Sequence, residues 1–433
     1  MEVTYTGWAL IITGLALFFH YRMLLACFAA TVTMSATAVV NLPDLPFGVQ
    51  PYHWFGSLLI ISAIMTELKS FGNNLVTPLP ISISFFFFIL SSLASAYLSN
   101  DFASSLNHMA HLVFGYSTFA AVRTFTLKVN EPVFVLQWLI YGLIFAVLWG
   151  VLQILLFFLN LPYPSEVFNN SVGLFAKGFS STLGGGMIPR MSSVATEPSF
   201  LARSIAPVVG LLVLLWARQE RHFKLITKGS LVEPKFIILL VGLLLTTSSI
   251  GYAAMFAITV IVTLKEHRAK ILAIICAPLI TVMGYFSLSN RSIALLFQES
   301  VLEKLSSGSG QIRISSVQNA FEIFEESPIL GAGPGQVTSD DLFVKLLSNF
   351  GLIGTFFYLS FLILIIRHSK KSPSFKSKGP RANLISSLIL ANFVLWLMDA
   401  FGGVSYQYGI FWILLAILMS VATADRDIGK GRA

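Results

Sequence analysis

The sequence predicts an all-α polytopic membrane protein, a bundle of about 12–13 transmembrane helices carrying two long outer loops. Three observations carry that expectation. Of 433 residues, 55% are hydrophobic and only 11% charged, against roughly a quarter charged in an average soluble domain. The apolar runs are long enough for helices crossing a core about 30 Å thick, and strand-like alternation is absent. Basic residues fall on alternate connections between the runs, as the positive-inside rule requires. Irregular backbone cannot face hydrocarbon, so a closed helical bundle is the class.

In order, the apolar runs cover 7–20, 23–40, 53–67, 79–98, 108–126, 133–159, 198–217, 234–247, 250–264, 271–288, 342–366, 383–400 and 403–422. The first run has no cleavable signal pattern before it and is expected to act as its own insertion signal. With the N-terminus outside, cytoplasmic connections hold 21 of the 28 Lys and Arg, including the runs Arg367 to Arg381 and Arg426 to Arg432. Those runs are topology anchors, so the net charge of +8 does not indicate nucleic acid as a partner. The outer half keeps Lys177, Arg190, Arg203, Arg291, Lys304, Arg313 and Lys345.

The chain thus divides into N-terminal helices (1–159), a first long outer loop (160–197) and central helices (198–288). A second long outer loop (289–341) and C-terminal helices with a basic cytoplasmic loop (342–433) complete it. Long loops in compact proteins are more often functional than idle. Cys27 and Cys276 sit in apolar runs, which reads as small buried residues and not as a disulfide or metal framework. No His, Cys, Asp and Glu cluster has metal-ligand spacing.

Two constellations could carry chemistry. The first runs from Arg190 to Arg203. Pro198 suits a first helical position, which puts Glu197 at the positive end of a helix dipole. Arg203 lies further in, where a charge faces the bundle interior or a wet cavity. The second joins Arg313 to Asp340 and Asp341 across the turn Gly331-Ala-Gly-Pro-Gly335. Its glycines let backbone turn sharply, but no GK[ST] follows, so it is no nucleotide loop. One aspartate could simply cap the next helix. Glu322, Glu325 and Glu326 read as a solvated helix face. The turn Thr246 to Tyr252, Asp399 beside Gly402, and His108 with His111 are weaker outer-edge candidates.

The stretch ESPILGAGPGQ…SDDLFVKLLSNFGLIG resembles the C-terminal signature of the O-antigen polymerase and ligase superfamily, and the upstream R-x6-EPSFLA resembles its arginine-bearing segment. The usable resemblance covers 160–366. It implies a GT-C-like, inverting, metal-independent membrane glycosyltransferase of the bacterial inner membrane, with its site facing the periplasm, its N-terminus periplasmic and its C-terminus cytoplasmic. No cofactor is implied. The substrates would be undecaprenyl-diphosphate-linked oligosaccharides, as donor and acceptor, and a chain-length regulator is a candidate partner.

Ligases of this superfamily typically carry His-Asn where Asp340-Asp341 stands, and an arginine near Ser248, Ser249 and Gly251. Those departures favour a polymerase for O-antigen or exopolysaccharide, with O-antigen ligase as the alternative. A flippase of the same lipid is the second alternative, disfavoured because no internal repeat or matched pair of broken helices is evident. The resemblance then assigns expected roles. Arg190 and Arg313 grip the diphosphate; Glu197 or Asp340 orients or deprotonates the acceptor. Arg203, Asp341, Arg291 and Lys177 join in substrate binding.

Overall fold

The computed structural model describes residues 2–42, 48–68, 77–129, 131–171, 182–183, 188–218, 234–266, 308–377, 379–402 and 408–430. Helices dominate. They are α1 (Tyr5–Leu17), α2 (Tyr21–Thr31), α3 (Pro51–Leu68), α4 (Leu79–Tyr97), α5 (Phe102–Val129), α6 (Pro132–Phe158) and the single turn α7 (Ser165–Phe168). After these come α8 (Pro198–Ala217), α9 (Pro234–Leu245), α10 (Ser249–Glu266) and α11 (Gly308–Glu326). The last four are α12 (Leu342–Lys370), the short α13 (Pro373–Lys376), α14 (Pro380–Ala400) and α15 (Gly409–Lys430). Four two-residue strands form two antiparallel pairs, β1 (Glu2–Val3) with β2 (Val40–Asn41) and β3 (Thr182–Leu183) with β4 (Ile188–Pro189).

Among the described residues, five helices are long and apolar enough to cross a membrane by length and composition: α4, α6, α8, α12 and α14. Five shorter apolar helices accompany them. The difference in burial ranks their places. Within the most apolar stretch of α8, 83% of residues are buried, against 44% for α4, α6 and α12. So α8 is the central post, with α14, α10 and α9 packed around it. The outer helices turn large apolar side chains outward, including Phe86 and Phe87 on α4, Leu155 on α6 and Phe356 on α12. A surface of that kind suits lipid. Small residues bring helices close: a Cβ on Gly142 would run into the Ala30 carbonyl where α6 meets α2, and one on Gly115 into the Trp412 ring where α5 meets α15.

Three expectations need adjusting. The run 23–40 does not stay helical; α2 stops at Thr31. Its remaining length, VTMSATAVV, is rich in Thr and Ser, whose hydroxyls compete with helical backbone bonding. There the chain instead bonds outward, Ala36 N–H to Val194 O at 2.9 Å and Ala38 N–H to Asn170 Oδ1 at 2.7 Å. The second outer loop is not loop throughout, because it contains the 19-residue α11. The last span begins at Gly409 among the described residues. The expected span 271–288, Cys276 included, lies outside the described residues.

One helix is broken. In α12, Gly351 takes φ 62° and ψ −171°, which no helix allows. The glycine turn plugs the gap. Leu352 N–H reaches Pro328 O at 2.9 Å, and Ala332 N–H reaches Ser348 O at 2.8 Å. Asn349 fastens the plug from both ends of its amide, its Nδ2 donating to Val337 O at 2.9 Å and its Oδ1 accepting from Val337 N–H at 3.2 Å. Interrupted helices survive at membrane depth only when freed backbone groups find such partners. Gly331, Gly333 and Gly335 all have positive φ, so the turn depends on glycine at each place.

Candidate functional site

The upstream constellation is held from several sides. Segment 190–197 crosses the ends of α6 and α9 before entering α8. Gln153 of α6 donates from Nε2 to Ser192 Oγ at 3.2 Å and accepts from Ser193 N–H at 2.9 Å. Asn169 Nδ2 donates to Ser193 O at 2.7 Å, and Met191 N–H to Leu245 O at 3.2 Å. Ser35 Oγ accepts from Thr196 N–H at 3.2 Å. Buried polar networks that are satisfied in this way rigidify what they hold. The network fixes the backbone that carries Arg190.

Arg190 itself is half-buried, and its Nε has no hydrogen-bond partner among the described residues. Burial pulls its guanidinium below its ordinary value, Glu197 and Tyr252 pull it back, and the positive charge of Arg313 lowers it. It remains a cation near neutral pH. Those influences put Arg190, Glu197, Tyr252 and Arg313 in one electrostatic neighbourhood, although they come from three separate stretches of chain. Glu197 is exposed at the start of α8 and makes no side-chain cap there. Its Oε2 accepts from Ser199 Oγ at 3.2 Å.

Arg203 points inward from α8. It is 5% exposed and its Nε lies 3.8 Å from Asp399 Oδ1, whose residue is fully buried. That distance is an ion pair and too long for a hydrogen bond. The guanidinium also covers the Phe200 ring at 5.3 Å. Gly402 leaves it room, since a Cβ there would come to 2.7 Å from Nη2. A small cavity bordered by Thr33, Ser35, Phe200, Tyr408 and this ion pair lies between α8, α14, the start of α15 and the segment that follows α2.

The downstream constellation is built differently. Arg313 on α11 and Asp340 before α12 face each other at 4.0 Å, each side chain nearly two fifths exposed. Ser316, one turn along α11, accepts from Asp340 N–H at 3.4 Å. Asp341 is the N-cap of α12, its Oδ1 accepting from Val344 N–H at 2.9 Å. Of the two aspartates expected at the site, Asp341 is therefore engaged as a cap and Asp340 faces the arginine. Lys345 lies one turn inside α12 and is buried, and the charges it feels are those of Asp340 and Arg203. The structure thus brings Arg190, Glu197, Arg203, Arg313 and Asp340 to one end of the bundle. The expected Lys177 and Arg291 lie outside the described residues.

The histidines do not join this group. His108 packs under Gly335 and its Nδ1 meets Ser104 O at 3.0 Å, while the His111 and His53 rings sit 5.6 Å apart. Glu322, Glu325 and Glu326 are exposed on α11, as a solvated face should be. The sequence does not single out the clamp residue Gln153, and it names Lys345 only as an outer basic residue; Tyr252, from the weaker candidate turn, does reach the site. A signal existed for Lys345: a charge one turn into an apolar helix normally faces the protein interior. The same logic singled out Arg203.

The fold and site define a class, a helical membrane protein whose charged side chains gather at one end of the bundle, between a rigid segment and a broken helix. Residues 235–359 match the family model described as Wzy_C, O-Antigen ligase. The match bears out the resemblance to the O-antigen polymerase and ligase superfamily, and supports ligase- or polymerase-type function in general. It takes in Arg313, Asp340, Lys345 and the plugged break in α12, and it excludes the Arg190 segment. A search of curated proteins finds no match.

Proposed function

We propose that this protein is a membrane-embedded glycosyltransferase that polymerises undecaprenyl-diphosphate-linked repeat units of an O-antigen or exopolysaccharide at the periplasmic face of the inner membrane. The observation that carries the reading is convergence. Arg190 and Arg313, about 120 residues apart in sequence, share one electrostatic neighbourhood, with a carboxylate beside each.

In the proposed reaction the acceptor hydroxyl oxygen attacks the anomeric carbon of the donor from the face opposite the diphosphate. The C1–O bond to phosphate breaks, its electron pair leaves with undecaprenyl diphosphate, and the anomeric configuration inverts. Charge accumulates on the leaving oxygens, where arginine forks suit phosphate geometry and never deprotonate. Preorganised cations at such a place lower the barrier most. Asp340 or Glu197 takes the hydroxyl proton. Asp340 is the better placed of the two for exchange, because its pairing with Arg313 is long and solvent-reached; Glu197 is the more open.

A second reading, O-antigen ligase, is favoured by the description of the matching family. Against it stands Asp340, where the superfamily's ligases typically carry histidine. The two separate in one experiment on purified protein with EDTA present, an undecaprenyl-diphosphate-linked repeat unit as substrate, and lipid A–core added to a parallel tube. A ladder of longer lipid-linked glycans without lipid A–core is expected. Transfer only in the tube with lipid A–core would make the protein a ligase, and no new glycosidic bond in either would overturn the proposal.

A further inference from the structure

Lys345 is 8% exposed. Lysine is almost never that buried unless paired, because its flexible stem ordinarily lifts the ammonium to water. Yet among the described residues no hydrogen bond or ion pair reaches this ammonium. The cations around it are better provided: Arg203 has Asp399 at 3.8 Å, and Arg313 has Asp340 at 4.0 Å. An ionisable group kept inside a membrane helix is costly and calls for a partner. Among the described residues this one has none within ion-pair distance; the opposite charge it feels is that of Asp340, which is already paired with Arg313.

Its depth says what would complete it. Lys345 lies four residues beyond the Asp341 cap, about 6 Å along the helix axis. Arg203, whose charge it feels, lies six residues beyond Glu197, about 9 Å along α8. Arg190 and Arg313 belong to the outer tier, on the segment before α8 and on the outer helix α11. In a lipid-linked diphosphate, one phosphate carries the sugar and the other is esterified to the membrane-bound polyprenol. The lipid-side phosphate is the deeper of the two.

We infer that Lys345 binds the lipid-side phosphate of the donor, as a point charge beneath the two arginines that take the sugar-side phosphate. This rests on the reading that a polyprenyl-diphosphate donor binds at this end of the bundle. Arg203 is then less a ligand than expected, because Asp399 already offsets its charge. Lysine suits the place because a compact ammonium meets phosphate without the bidentate geometry arginine demands.

The test measures binding of undecaprenyl diphosphate, with uncharged undecaprenol as control, to the full-length protein in lipid nanodiscs by native mass spectrometry. Lys345→Gln should weaken undecaprenyl diphosphate binding roughly ten- to a hundredfold, Lys345→Arg should recover part of it, and undecaprenol binding should be unchanged in both. Lys345→Met should melt no lower than wild type, since it keeps the stem and removes a buried charge that Asp340 offsets only from a distance. Wild-type affinity in Lys345→Gln, or a lower melting temperature for Lys345→Met with affinity intact, would overturn the assignment and leave the donor reading standing. Failure of the wild-type protein itself to bind undecaprenyl diphosphate would overturn the donor reading together with this inference.

Discussion

The two arginine regions are built to opposite specifications. Arg190 stands on a segment held by Gln153, Asn169, Ser35 and the Leu245 carbonyl, from four different parts of the chain. Arg313 rides on α11, whose surface is mostly exposed, and meets Asp340 at a long, wet 4.0 Å. One is a fixed post and the other an adjustable arm. The proposed reaction, which must admit a bulky glycan and then compress charge onto a diphosphate, would gain from having both. The fixed member sets geometry in advance, which is where electrostatic catalysis gets its advantage. The adjustable member would, in the proposed reaction, exchange Asp340 for phosphate.

The comparison breaks most sharply at the post. Arg190→Ala should lower transfer at least about 100-fold, with the purified variant melting near wild type. Arg190→Lys should rescue little, because the fork is lost. Arg313→Ala should cost less, roughly tenfold, since the arm is partly solvated and screened; initial rates with a lipid-linked repeat unit measure both. Equal losses at the two arginines would remove the distinction between post and arm.

Next comes the floor beneath the arm. Gly351→Ala puts a Cβ into the Ile329 carbonyl at a positive φ. That should destabilise the protein by roughly 1–3 kcal/mol, visible as a lower melting temperature. Gln153→Leu strips the clamp from Ser192 and Ser193 and leaves a buried N–H unpaired, at about 1–3 kcal/mol. It should also slow transfer while Arg190 remains present. The smallest change expected is Asp341→Ala, the loss of an N-cap worth about 1 kcal/mol, with the rate nearly intact. A large rate loss without loss of stability would return Asp341 to the substrate-binding set.

The difference between the regions also marks what the sequence could disclose. The downstream arm is local: glycines at Gly331, Gly333 and Gly335, a breaker at Pro328 and an aspartate before Leu342 announce a turn and a cap within 15 residues. The upstream post is not local. Gln153 lies 40 residues from Ser193 in an unbroken apolar run, and nothing in its neighbourhood distinguishes it from a tolerated polar residue. Likewise α2 stops at Thr31 because later segments supply partners for residues 36–41, which hydropathy does not register. Arg203 was legible as an inward charge, but its partner Asp399 lies nearly 200 residues on. Single residues could be nominated from spacing; which of them face one another is a property of packing.

Where the diphosphate sits decides every role proposed for these side chains, and photolabelling reports it most directly. Wild-type protein in membranes would be irradiated with an undecaprenyl-diphosphate analogue bearing a photoreactive group next to the phosphates, then digested and mapped by mass spectrometry. Labels on peptides from 190–203 and from 308–345 together are the predicted result, competed away by unlabelled undecaprenyl diphosphate. Competed labels confined to the opposite end of the bundle, around the Arg22–Glu131 pair, would contradict it.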